Sequence, residues 1–505
     1  MAQSGPTSTT RPLGELVPAG AGEPQGGWRA DLRVTGLSVD SREARDGHLF
    51  FALPGSHVHG GEFISFAARM GAAAIVTDAE GLRIARNEGV GGDLPILVTP
   101  EPRLDLARAA AAWSGAQPET VVAVTGTNGK TSVANFTRQI WEHLGERAVN
   151  FGTVGVEGAV SAPLSHTTPE PITLHALLAE LAADGVTHAA MEASSHGLAQ
   201  HRLDGVRLTA AGFTNITRDH MDYHHDFQDY FAAKLGLFDR VLPAGGTAVV
   251  NMDDPFGERV VRTAEERGIS CLTIGRGEGN DITIDTTRFD AAGQDVRFTH
   301  AGQVHVARLA LIGGFQAYNA LTAAGLAIAS GAAPDAAFKA LDALTTVRGR
   351  MELVATRANG AHVFVDYAHT PDALATALNA LRPHVMGRLV VVFGAGGDRD
   401  RGKRPLMGRA AAEGADVVIV TDDNPRGEDP AAIRAEIMEA VPEGTEIGDR
   451  AAAILAGVDA LQPGDTLLIA GKGHETGQIV GDDVLPFNDG EQASVSVAAL
   501  DGDGA

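Results

Sequence analysis

Seven short apolar runs, each ending abruptly in Gly, Asp, Glu, Asn or His, set the rhythm of this chain. They are VVAVTG ending at Gly126, THAAME ending at Glu192, AAGFTN ending at Asn215 and HVFVDYAHT carrying Asp366 and His369. LVVVFGAGGDRD, DVVIVTDDNPR and DTLLIAGKGHE follow the same design. Runs that are apolar at every position, rather than at every second one, predict strands buried on both faces of a parallel sheet. Ligands in open α/β sheets bind beyond the carboxyl ends of such strands. Seven polar strand ends, split between two domains, predict two facing ligand surfaces with a cleft between them. After VVAVTG the period changes. Val133, Phe136, Ile140 and Leu144 recur at helical spacing, so a helix follows the first of these strands.

Punctuation divides the chain into an α/β protein of three domains. Residues 1–30 and 493–505 read as flexible tails, and low complexity is confined to them. A small N-terminal α/β domain covers 31–116. QPET, residues 117–120, reads as a linker into a central parallel-sheet domain over 117–347. A C-terminal, Rossmann-like domain of strand-then-loop units covers 348–492. At 505 residues, two to four domains are expected in any case. No tandem repeat or coiled-coil heptad interrupts this plan.

Composition narrows the function classes. Apolar residues make up 44% and charged residues 21%, as in ordinary globular proteins. No apolar run approaches the ~18 residues of a membrane span, and the N-terminus lacks the basic start and apolar core of a signal peptide. The one cysteine, Cys271, excludes an internal disulfide framework and fits a reducing cytoplasm. A formal net charge of −24 argues against nucleic acid or membrane surfaces as partners. Anionic substrates then need local cations. Arg399, Arg401, Lys403, Arg404 and Arg409 crowd one such stretch, opposed within it only by Asp398 and Asp400.

GTNGKTS, residues 126–132, is the most specific chemical signal. A strand, a Gly-rich turn and a helix in that order form a phosphate cradle. Backbone N–H groups and the helix N-terminus face the anion, Lys130 adds charge, and the Thr131 hydroxyl suits Mg²⁺. Val124 stands where the first Gly of the commoner GxxxxGK[ST] loop would be. Glu192 and the 220s segment supply oxygen and imidazole ligands of the kind Mg²⁺ uses beside nucleotide phosphates. His220 and His224, four apart, could share a helix face. Met221 takes the place of the Glu of HExxH, which argues against a zinc protease. Taken alone, these histidines read as capping or surface residues, and Lys234 as an ordinary helix lysine.

The shortened GTNGK[ST] loop resembles that of the Mur ligases and of folylpolyglutamate synthases. Further motifs, in order, resemble the Mur ligase branch that adds the third residue of the peptidoglycan stem peptide. They are DSR (40–42), HTTPE (166–170), MEASSHGLAQHR (191–202), TNITRDHMDYH (214–224), GGFQAYN (313–319), GRME, VDYAHTPDAL, GAGGDRDRGKRPLMG, DDNPR and GKGHE. The resemblance runs from about residue 39 to 491. It implies a cytoplasmic ATP-dependent ligase, expected to be monomeric. Its substrates would be UDP-N-acetylmuramoyl-L-Ala-D-Glu, ATP and diaminopimelate, the meso form being the expected isomer.

Position by position, the resemblance implies these roles. Val39, Ser41, Ser56, His57 and Val58 would hold uridine diphosphate. Thr167, Thr168, Ser194, Gln200 and Arg202 would position the muramoyl dipeptide. Gly126, Thr127, Asn128, Gly129, Lys130, Thr131 and Ser132 would cradle ATP, with Asn319, Arg350, Asp366 and His369. Thr131, Glu192, His220 and Lys234 would organise Mg²⁺, Lys234 after conversion by CO₂ to a carbamate (N6-carboxylysine). Lys130, Glu192, His220 and Lys234 form the implied catalytic set. Arg399, Asp423, Asn424, Pro425, Arg426, Gly471 and Glu475 would bind diaminopimelate, DNPR being associated with diaminopimelate-adding members. His166 and Gln316 depart from the family pattern, which has Asn at both. Two other readings stay open: a folylpolyglutamate synthase-like ligase, and a P-loop switch or transport ATPase without ligase activity.

Overall fold

A computed structural model describes residues 10–18, 20–55, 58–164, 166–217, 219, 223–290 and 292–502. The chain forms two compact units, Met1–Thr273 with Gly325–Ala332 and Ile274–Ala324 with Ala333–Ala505. Among the described residues no helix is long and apolar enough to cross a membrane.

Among the described residues the first unit holds two main sheets beside the short antiparallel pairing of Arg11–Pro12 with Arg33–Val34. The smaller orders its strands Glu23–Gln25, Ile96–Val98, Ala74–Thr77, His48–Ala52 and Gly36–Ser38, parallel except for the first. The sequence HLFFA places Leu49, Phe50, Phe51 and Ala52 inside, because helices cover both faces of this strand. The expected N-terminal tail ends early. From Thr10 onward the chain is built into the domain: Leu13, Leu16 and Val17 pack with Leu106, Ala109 and Ala110. One helical turn with two leucines is too short to register as periodicity, yet it buries enough to dock. The 117–120 linker is also tied down, by an amide ring in which Gln117 donates to Arg207 O and accepts from Arg207 N.

The larger sheet contains five parallel strands in the order Ala148–Gly152, His188–Glu192, Thr120–Thr125, Ala210–Phe213 and Thr247–Asn251. Helix Lys130–His143 covers it with Val133, Phe136 and Ile140, as the period predicts. Leu144 falls at the C-cap and is only half-buried, and Trp141 takes the inner position instead. Gly129, at φ 89°, is the N-cap. That left-handed conformation turns the chain from strand to helix and favours glycine.

The second unit contains three antiparallel strands, Ile282–Asp290, Gly293–His300 and Gln303–Leu309. It also holds a six-stranded sheet ordered Glu352–Thr356, His362–Asp366, Thr466–Ala470, Leu389–Phe393, Val417–Val420 and Thr445–Glu446. All but the first of these six run parallel. Every one of the seven predicted runs is thus a parallel strand, and the architecture is α/β, as expected. The expected C-terminal tail is a correction. Helix Asp489–Asp501 occupies it, capped by Asn488, which accepts from Glu491 N at 3.0 Å. Arg357 pairs with Asp501 at 2.7 Å, and Ala493 is buried. Its apolar positions are mostly Ala and Val among Ser, Asp and Glu, so the helix stays attached through polar anchors that hydrophobicity does not reveal.

Candidate active site

The P-loop closes around the carbonyl of Gly126. Lys130 Nζ donates to it at 3.0 Å and to Thr127 O at 2.9 Å. Lys234, on helix Phe227–Gly236, donates to the same carbonyl at 2.6 Å. Lys234 is 1% exposed and lies 4.7 Å from the centre of the Tyr230 ring. Burial, reinforced by the neighbouring charge of Lys130, holds its amine well below the ordinary lysine pKa. The lysine dismissed as ordinary on sequence alone is therefore a buried amine facing the phosphate cradle. A Cβ on Gly126 would come within 1.9 Å of Thr214 Oγ1, so this position excludes any side chain. Asn215 fixes the rest of the loop, its Oδ1 accepting from Asn128 N at 3.0 Å.

Glu192 ends its strand 2% exposed and gathers the neighbouring hydroxyls. Thr131 Oγ1 donates to it at 3.1 Å, Thr153 N at 2.8 Å and Thr153 Oγ1 at 3.3 Å. Gly152 clears the space, since a Cβ there would lie 2.2 Å from Glu192 Oε1. Thr131 and Glu192, implied as metal ligands, are adjacent. A hydroxyl and a carboxylate at a helix N-terminus are hard oxygen donors that suit Mg²⁺. Thr153 belongs to this cluster and carries no motif in the sequence; only its proximity reveals it.

A polar track leads away from Glu192. Thr153 Oγ1 lies 3.1 Å from Thr167 Oγ1, and Thr168 Oγ1 donates to Glu192 O at 2.9 Å. Ser194 caps helix Ser195–Ala199 through Gly197 N, and its own N–H donates to Thr168 Oγ1. Arg202 donates to Thr168 O at 2.5 Å and to Gln200 Oε1 at 2.8 Å, while Gln200 Nε2 donates to the Tyr223 hydroxyl at 3.0 Å. Thr167, Thr168, Ser194, Gln200 and Arg202 thus form one connected set. In the smaller sheet's domain Ser41 is buried, Val39 half-buried and Val58 exposed. Ser56, His57 and His220 lie outside the described residues. His224 precedes its neighbouring helix instead of lying on one, its ring 5.2 Å from Tyr230 and its Nδ1 3.3 Å from Asp229 Oδ2. The shared helix face with His220 is thereby corrected: Asp226 caps that helix and starts it only at Phe227.

The second unit gathers another set. Asp366 accepts from Met351 N at 2.7 Å and Ala368 N at 2.8 Å. Arg350 stacks over Tyr367, 4.7 Å from its ring centre, and His369, exposed, sits 2.9 Å from Tyr367 O through Nδ1. Asn319 is buried and donates to Gln316 Oε1 at 2.9 Å. The glutamine that departs from the family pattern thus orients the asparagine that follows it.

DDNPR and GKGHE, far apart in sequence, meet through Lys472. This fully buried lysine donates to Asn424 Oδ1 at 2.9 Å and Gly477 O at 2.6 Å, and lies 3.7 Å from Asp423 and 3.5 Å from Glu475. Asn424 Nδ2 donates to Glu475 Oε2 at 2.9 Å. Arg426 donates to Gly397 O at 3.1 Å. A Cβ on Gly471 would lie 2.4 Å from Asp423 Oδ2. Beneath them Arg450 and Asp489 form a buried pair at 2.7 Å, and Arg450 also donates to Ala470 O. Sequence reasoning missed Lys472, although it lies inside GKGHE, and missed Arg450 and Asp489, which no motif marks.

The basic stretch needs a correction. Arg404 is fully buried and pairs with Glu428 at 2.7 Å and Glu436 at 2.9 Å, and Arg401 pairs with Glu436. Carboxylates from a later segment neutralise much of the run. Arg399 is exposed and donates to its neighbour's carbonyl, Asp398 O, at 3.1 Å.

Comparison with known proteins follows the same division. Residues 33–112 match the Mur ligase family catalytic domain, 124–327 the Mur ligase middle domain, and 349–473 the Mur ligase glutamate ligase domain. The chain is 52% identical to the UDP-N-acetylmuramoyl-L-alanyl-D-glutamate–2,6-diaminopimelate ligase of Bradyrhizobium diazoefficiens, covering 93% of this chain and 96% of that one. It is 49% identical to the ligase of the same name from Caulobacter vibrioides, covering 94% and 97%. A solved structure of a ligase of that name superposes with a TM-score of 0.74 at 31% identity, over 97% of this chain and 99% of the other. Folylpolyglutamate synthase of Mycobacterium tuberculosis complexed with ADP shares the fold alone, at TM-score 0.59 and 20% identity, over 73% and 91%. With its P-loop variant, strand-end residues and all three domains matched in order, the chain belongs to the Mur ligase family.

Proposed function

We propose that this protein is an ATP-dependent, ADP-forming ligase that adds diaminopimelate to the D-Glu side-chain carboxylate of UDP-N-acetylmuramoyl-L-Ala-D-Glu, in peptidoglycan precursor synthesis. The observation that carries the reading is the Asp423–Asn424–Arg426–Lys472–Glu475 cluster in a chain about half identical to ligases of that name. A second carboxylate distinguishes diaminopimelate from lysine, and burying it requires a cationic partner. Arg426 supplies a fork suited to a carboxylate, and Glu475 a partner for the distal ammonium.

A carboxylate is a poor electrophile, so the reaction begins with transfer of the γ-phosphoryl group of ATP to the D-Glu carboxylate oxygen, releasing ADP. Lys130 stabilises the charge on the phosphoryl group in transit, and the backbone of residues 126–132 orients it. The amine of diaminopimelate then attacks the acyl carbon, losing a proton, and phosphate departs to leave the amide. Thr167, Thr168, Ser194, Gln200 and Arg202 hold the dipeptide end of the acceptor, and Val39, Ser41, Ser56, His57 and Val58 its uridine end. Asn319, Arg350, Asp366 and His369 contact the nucleotide; Arg399, Asp423, Asn424, Pro425 and Gly471 complete the amino-acid site.

Thr131 and Glu192, with His220 and a carbamylated Lys234, would hold Mg²⁺. Bound there, the ion neutralises phosphate charge as a Lewis acid. The depressed pKa of Lys234 supports the modification, because only an uncharged amine can add to CO₂. The reading further takes the protein as a cytoplasmic monomer, with domain limits near residues 31, 117, 348 and 492. An amino-acid panel assayed with UDP-muramoyl dipeptide and ATP, following phosphate release, tests it. Diaminopimelate-dependent turnover is the expected result. Turnover with a folate acceptor, or acceptor-independent ATP hydrolysis alone, would reject it.

A further inference from the structure

Gly313 opens the GGFQAYN segment, and both of its backbone groups are gripped by buried side chains. Its N–H donates to His384 Nε2 at 3.1 Å. Its carbonyl accepts from Gln294 Nε2 at 2.8 Å and from Gln316 N at 3.0 Å. His384 is 4% exposed and Gln294 fully buried. The other ring nitrogen, Nδ1, lies 2.6 Å from Asp290 O. A carbonyl can only accept and an N–H can only donate, so these partners fix one tautomer: the proton on Nδ1 and the lone pair on Nε2. Phe289 meets the ring edge-on, at 5.1 Å between centres.

The grip matters because of what Gly313 carries. At φ 98° it turns the chain into helix Phe315–Ala329, and a Cβ there would lie 2.7 Å from the Phe315 ring and 3.0 Å from Ala380 Cβ. One turn later Gln316 holds Asn319, a residue read above as touching nucleotide. His384 sits on the three-residue turn Arg382–His384, just after helix Pro371–Leu381. Arg382 anchors that turn to Asp416 at 2.6 Å and to Gly387 O at 2.7 Å. A rigid turn in the C-terminal sheet's domain therefore sets the entry angle of a segment that belongs to the nucleotide site.

We infer that His384, as the Nδ1-protonated tautomer, is a positioning residue for ATP: with Gln294 it clamps Gly313 and so fixes Gln316 and Asn319. The inference rests on the proposed function, since it takes Asn319 to face the nucleotide. Two isosteres divide the ring's tasks. The amide of Asn reaches the position of Nδ1 and keeps the Asp290 bond, whereas that of Gln reaches Nε2 and can still accept from Gly313 N–H. His384→Asn should raise KM for ATP about tenfold with kcat within about twofold, as expected for an orphaned buried donor. His384→Gln should remain within about threefold of the parent in both. Gln294→Leu, which leaves the histidine intact, should raise KM for ATP in the same sense, and it decides the matter should either His384 variant fail to fold. Equal KM values for ATP in the parent, His384→Asn and Gln294→Leu, whatever their melting temperatures, would overturn the inference and leave the ligase reading intact. A parent without ATP-dependent ligation would overturn both.

Discussion

Lys130 and Lys234 converge on one carbonyl, yet their roles divide by burial. On the proposed reading Lys130, only half-buried, is the one that faces the phosphates. Its replacement by Ala should lower kcat by roughly 10²–10³, the scale for deleting one preorganised charge partner; steady-state kinetics on the folded variant check this. Lys234 is the buried amine. Lys234→Ala should be nearly inactive and partly rescued by short-chain carboxylates that fill the vacated site, and failure of every carboxylate tried would count against the carbamate. Arg426 is read as the selector. Losing a buried charge partner costs ~3–5 kcal/mol, so Arg426→Ala should lower kcat/KM for diaminopimelate by roughly 10²–10³ while leaving the KM for ATP almost unchanged. Arg426 has φ 51°, a left-handed conformation whose strain Ala, with the same Cβ, retains. Arg426→Asn tolerates that conformation and separates strain from lost charge: it should match Ala in selectivity but exceed it in melting temperature.

At the scale of elements, legibility followed hydrophobic continuity. Seven strands were visible because each is buried on both faces and its sequence must be apolar throughout. The P-loop was visible because glycine and lysine at fixed offsets answer a phosphate. Helix Asp489–Asp501 was not, because it docks through Arg450–Asp489 and Arg357–Asp501, pairs whose members lie 39 and 144 residues apart in sequence. Thr153 and Lys472 escaped for a related reason, since Glu192 and Asn424, which fix them, lie 39 and 48 residues away in sequence. The buried pair yields a test. Asp489→Ala leaves Arg450 uncompensated and should cost about 3–5 kcal/mol in stability, read by urea unfolding. Replacing both by apolar residues of similar volume should recover most of that loss.

For the whole molecule, acid is the expected weakness. His175, on helix Pro171–Ala183, is 3% exposed, and burial followed by the nearby charge of Arg207 lowers its pKa to about 4. The unfolded chain binds that proton near the ordinary value of ~6.5. Between those values the unfolded state holds more protons, so stability falls as pH drops through this window, by about 3 kcal/mol in all. His175→Leu should flatten the decline, measured as melting temperature from pH 7 to 4. Beyond stability, the turn that carries Arg426 bears on how such a protein could change its substrate. Asn424 and Arg426 both hold positive φ, at 43° and 51°, on either side of Pro425. Asn424 also bonds Lys472, Glu475 and Ile479 N at once. A lineage drifting toward another amino acid cannot sample this turn freely. Valine, isoleucine and threonine are penalised by the backbone before any ligand is met, and a change at Asn424 unfastens two loops together. With Arg426 as the proposed selector, new selectivity is expected to come from replacing the whole turn or from substitutions around it, and intermediates altered at single turn positions should be rare among descendants that still fold.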